Sequence, residues 1–168
     1  MGNGISFKNE NDRWDFEAVS PTCEEGEFSQ VMAEMIGSTE IIEYRIAEKF
    51  QAKVSAMFGL LNDTVWKTTA EYGGGATLNK DESLTGNIQI FVHPRGEDIA
   101  WERLFNHKYK SSDGKSLDFT PEQVDAHEYG HAYNAIKWKI RVENPSPALR
   151  LENIIRARQK SPQRRLFH

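Results

Sequence analysis

From Phe28 the apolar positions recur at helical spacing: Phe28, Val31, Met32, Met35 and Ile36, stopping at Gly37, a residue placed for a helix C-cap. Ser38 then offers an N-cap, and Ile41, Ile42, Ile46, Phe50 and Val54 predict a second helix with one apolar stripe. The pattern changes at Thr64-Val-Trp-Lys-Thr-Thr, which is rich in β-branched and aromatic residues and reads as a strand. Gly73–Leu78 and Asn87–Val92 read as two more strands, and Pro94 ends the last at Val92 or His93 because it cannot donate to a ladder. Gly73–Gly75 lacks the spacing of a phosphate loop and is expected to be a flexible turn.

Upstream, residues 1–27 form a polar, acidic arm with two short strand-like pieces, Ile5–Phe7 and Trp14–Phe16. Downstream, residues 94–119 are connector with a short helix expected near Ile99–Phe105. Two helix starts follow. Thr120-Pro-Glu-Gln combines a cap, a proline at the first helical position and a capping-box glutamine, predicting a helix from Pro121 to about Trp138. Ser146-Pro147 repeats the signal for a last helix to about Gln159. The expected class is α+β: N-terminal helices, a short mixed or antiparallel sheet and two C-terminal helices, with residues 28–168 as one domain that the arm of residues 1–27 can join.

Composition narrows the chemistry. A chain of 168 residues buries roughly 70% of its unfolded surface and needs no disulfide staples. Its single cysteine, Cys23, excludes an intrachain bridge and a thiolate zinc finger. Apolar runs are too short for a membrane span, and Met1–Lys8 lacks the core of a signal peptide. The protein is therefore expected to stay in the cytoplasm where it is made, or to leave by a route without a classical signal. Net charge is −4 but uneven. Residues 1–102 carry 8 basic and 18 acidic side chains, and residues 103–168 carry 13 and 7. The six basic residues between Arg150 and Arg165 lack interleaved aromatics, so a solvated face is expected there rather than a nucleic-acid site.

The informative motif lies within the Pro121 helix: His127-Glu128-Tyr129-Gly130-His131, a match to H-E-x-x-H. Random placement of this composition gives only about 0.015 such matches. Residues i and i+4 share a helical face, so both imidazoles can reach one zinc ion (Zn2+), and Glu128 stands beside them as a proton acceptor. A catalytic zinc usually takes three protein ligands. The longer motif with a third histidine fails, because Asn134 and Lys137 occupy its glycine and histidine positions. Glu152, with Leu151 and Ile155 on the same face of the last helix, is the expected third ligand; Glu143, in the connector, is its competitor. Arg156, one turn on, can bond Glu152 or Glu128.

Residues 119–168, with His127-Glu128-x-x-His131 and Ala148-Leu149-Arg150-Leu151-Glu152-Asn153, resemble zincin metallopeptidases of the Glu-ligand (gluzincin-like) kind. They are most similar to small metallopeptidase domains of bacterial effectors and of Rhs-type polymorphic toxins. The resemblance implies zinc ligation by His127, His131 and Glu152, with Glu128 as general base acting on a protein or peptide substrate. It also implies that Asn87–Val92 is an edge strand aligning that substrate. Tyr109, Tyr133, His93 and His107 are the open candidates for stabilising an oxyanion. Two other readings remain: a non-catalytic module whose basic C-terminal half binds an acidic partner or nucleic acid, and a zinc amide hydrolase acting on a small substrate. Oligomeric state is not legible.

Overall fold

The computed structural model describes residues 4–19, 26–56, 61–95, 111, 113–115, 117, 119–137 and 146–164. The fold is α+β. A four-stranded sheet has the order β1 (Ile5–Phe7), β2 (Ile42–Ile46), β6 (Ile88–Val92), β5 (Gly75–Leu78). The first three run parallel and β5 runs antiparallel to β6, with Gly75 opposite Val92 and Leu78 opposite Gln89. A separate antiparallel hairpin joins β3 (Lys49–Ala56) to β4 (Leu61–Thr68).

The described residues also form four α-helices, α1 (Glu10–Val19), α2 (Glu27–Ile36), α3 (Pro121–Ile136) and α4 (Pro147–Arg158), and a short 3-10 turn at Ala70–Tyr72. One face of the sheet buries Ile42, Tyr44, Ile88, Ile90 and Val92 against Phe28, Val31 and Met35 of α2, Ala126 and Tyr129 of α3, and Leu151 and Ile155 of α4. The other face carries a second cluster, in which Phe91 stacks on Phe50 at 4.7 Å between centroids, beside Ala52, Ala76 and Leu78. No described helix is long and apolar enough to cross a membrane.

The start of α3 follows its sequence. Thr120 Oγ1 accepts from Gln123 N and Gln123 Oε1 from Thr120 N, the reciprocal capping box. Ser146 Oγ likewise accepts from Leu149 N at the start of α4. The two helices cross at Gly130, where a Cβ would stand 2.3 Å from Ala148 Cα and 2.5 Å from Pro147 C. Only glycine fits there, which accounts for a weak helix former inside the motif.

Three expectations need correction. The helix expected after Ser38 is β2 and β3. Its stripe, Ile42, Ile46, Phe50 and Val54, has a spacing of four that satisfies period two as well as 3.6. Buried Tyr44 and Ala52 between those positions show the strand period. Trp14–Phe16 lies in α1 instead of a strand; Asn9 Oδ1 accepts from Asp12 N and caps that helix. Asn87–Val92 is not an edge: β6 is flanked by β2 and β5 and is buried along its whole length. The edge strand is β5. Residues 4–19 of the arm join the fold, with β1 as the opposite edge of the sheet. The helix expected near Ile99–Phe105 lies outside the described residues.

Candidate active site

Mid-helix position on α3 puts His127 and His131 one turn apart, and their Nε2 atoms face each other at 3.0 Å. Two nitrogens each about 2.0–2.1 Å from a tetrahedral zinc stand roughly 3.3 Å apart. The pair is therefore within about 0.3 Å of the separation that a shared ion requires. Among the described residues, no group of three His, Cys, Asp or Glu side chains is arranged to hold a metal.

Glu152, fully buried on α4, reaches the same imidazole from its other side. Its Oε2 lies 2.9 Å from His127 Nδ1. Two arginines grip the carboxylate: Arg156 Nε donates to Oε1 at 2.7 Å and Arg164 Nη1 to Oε2 at 2.8 Å. Burial pushes the Glu152 carboxyl up, but the bond and charge of His127 and the charges of Arg164 and Arg156 outweigh it and hold it at about 2. The carboxylate can only accept, so Nδ1–H of His127 is the donor in that contact. Direct metal ligation by Glu152 would take Oε2 away from Nδ1.

Glu128 is 5% exposed and faces β5. Thr77 Oγ1 donates to its Oε2 at 2.7 Å. Gly75 leaves the space its side chain fills, since a Cβ there would stand 2.7 Å from Glu128 Cγ. Burial raises the Glu128 pKa, the nearby Glu152 charge adds to this, and His127, Thr77 and Arg164 pull against it. A buried carboxylate with a raised pKa is poised to take and return a proton. Gly75, Thr77, His127, Glu128 and His131 line one pocket of about 490 Å3, together with Phe50, Lys67, Tyr72 and Arg164.

The other expected residues fall elsewhere. His93 Nδ1 is 3.0 Å from Thr69 Oγ1, and Tyr133 packs beside the core with Lys137 over its ring; neither is among the described residues lining the pocket. Tyr109, His107 and Glu143 lie outside the described residues. The expectation of a solvated basic face from Arg150 onward fails at two positions. Arg156 is fully buried and Arg164 is 8% exposed, drawn in by Glu152, and both lie over the Phe119 ring at 4.7 and 5.9 Å. Sequence reasoning missed Gly75, Thr77 and Arg164. The triple glycine was the only signal for the first, and nothing local marked the others.

No family model, curated protein or solved structure matches this chain.

Proposed function

We propose that this chain is a zinc-dependent hydrolase that cleaves peptide bonds, with the ion held by Nε2 of His127 and His131. The observation that carries this reading is the facing imidazole pair, 3.0 Å apart, with the buried carboxylate of Glu128 on the same pocket wall. When bound, a zinc ion supplies Lewis-acid polarisation of a carbonyl oxygen and of water. Glu128 accepts a proton from the attacking water and returns it to the leaving amine. Thr77 holds the other end of that proton shuttle by donating to Oε2. Among the described residues no strand pairs with the outer side of β5, which borders the pocket and offers backbone groups to an extended substrate, the task that the family resemblance implied for Asn87–Val92.

Glu152 supports the site through His127 Nδ1, a carboxylate–histidine arrangement that orients a metal-binding imidazole. Its direct ligation is the second reading, favoured by donor count, because the two imidazoles alone fall short of the usual three protein ligands.

Elemental analysis of protein purified without added metal tests the proposal. About one zinc per chain, lost in His127→Ala, is expected. Glu128→Gln should keep the zinc and the fold while hydrolysis of a peptide library falls by at least about 100-fold. Absence of zinc, or parental activity in Glu128→Gln, would refute it. Glu152→Gln separates the two posts of that residue: weakened but stoichiometric zinc fits the Nδ1 role, and loss of zinc fits ligation.

A further inference from the structure

The chain after α4 does not run off into solvent. It turns at Lys160, a non-glycine residue with φ 54°, and Ser161 N donates to Arg156 O at 2.8 Å. It then lies back along the helix it has just left. Asn153 catches it at two points: Arg164 N donates to Asn153 Oδ1 at 2.8 Å, and Asn153 Nδ2 donates to Arg164 O at 3.0 Å. Gln163 Nε2 adds a bond to Asn153 O, and Arg164 also bridges to Ser111. A side-chain amide satisfying both backbone groups of one residue fixes that residue's position and direction, as a strand partner would. The residue so fixed is the one whose guanidinium enters the candidate site, on Glu152 Oε2 and 3.5 Å from His127 Nδ1.

We propose that Arg164, delivered by the Asn153 latch, is a positioning residue: it holds Glu152 on His127 Nδ1 and thereby sets the tautomer and aim of the His127 ring. Arg156 takes Oε1, so the oxygen that receives His127 is shared with Arg164 alone of the two arginines. Without Arg164, Oε2 keeps one partner and the carboxylate is free to turn about its Arg156 bond. The His127 ring then loses the acceptor that selects Nδ1–H. The consequence for metal rests on the zinc reading given above; the consequence for the imidazole does not.

Two readouts separate these. Ring 15N shifts of His127 in the metal-free protein report its tautomer, and competition with a chromophoric chelator reports zinc affinity. The parent should show the Nδ1–H form, Arg164→Gln a mixture, with zinc binding weakened about 10- to 100-fold. Asn153→Ala, changed on the latch rather than on the carboxylate, should move both readouts the same way. The double variant should be no worse than Arg164→Gln, because both act through one guanidinium. Should Arg164→Gln fail to fold, Asn153→Ala carries the test by itself. An unchanged tautomer in the folded variants overturns the proposal, as does a double variant with fully additive losses. A parent that binds no zinc but shows the Nδ1–H tautomer, lost in the variants, refutes the metal reading and leaves the positioning role standing.

Discussion

Glu128 is held by two residues of β5 that have no charge and no motif. Gly75→Ala would drive a Cβ to 2.7 Å from Glu128 Cγ and 2.9 Å from Val124 Cγ1. Such overpacking typically costs about 1–3 kcal/mol. Peptidase activity should fall further than that stability loss explains, because the atoms displaced belong to the proton acceptor; comparing the melting temperature with kcat checks this. Thr77→Val removes the donor at 2.7 Å and should cost only about 1 kcal/mol in stability. Its activity should fall while Thr77→Ser stays near the parent. At this scale the sequence was half legible. His127, Glu128 and His131 declare themselves because one helix turn brings them together. Gly75, Thr77 and Arg164 do not, because only folding brings them to that helix.

At the level of elements, the crossing of α3 and α4 governs the site, since it sets the imidazoles on one helix against the carboxylate on the other. Gly130 permits that approach. Gly130→Ala meets backbone of Pro147 and Ala148, which cannot rotate away as a side chain could. The expected loss is about 3 kcal/mol or more, or a fall of at least about 6 °C in melting temperature, measured calorimetrically. The caps at Thr120 and Ser146 made both helices readable. The misread elements share one cause: a spacing of four in Ile42, Ile46, Phe50 and Val54 is silent between helix and strand. Short α1 is obscured because Trp14 and Phe16 alternate as strand residues do, while its helix signals, the Asn9 cap and the acidic first turn, are brief.

Across the whole molecule, α3 packs against α1, α2, α4, β5 and β6, so the imidazole pair rides on the most connected element described. A buried polar junction ties it to the sheet. Tyr44 Oη lies 2.8 Å from Asp125 Oδ2, and Arg95 Nη2 donates to Asp125 Oδ1 at 3.0 Å. Tyr44→Phe should cost about 1–3 kcal/mol by leaving the buried carboxylate short of a donor, read from urea unfolding. Zinc binding to the native state only should add about 2.7 kcal/mol at a hundredfold excess over Kd, so stripping the metal should lower the melting temperature by about 5–10 °C. Sheet order was the least legible feature, because parallel pairing of β1, β2 and β6 joins segments with no local signal for one another. The return of the chain onto Asn153 has a consequence in time. Ribosomes add roughly 5–20 residues per second, and domains acquire their folds during or soon after that process. A nascent chain that has emerged only to Arg158 already exposes both histidines and Glu152 but lacks the clamp that Arg164 supplies. In this order of emergence the Glu152 carboxylate meets Arg156 on its own helix first, and its second arginine reaches it only after residue 164 has left the exit tunnel.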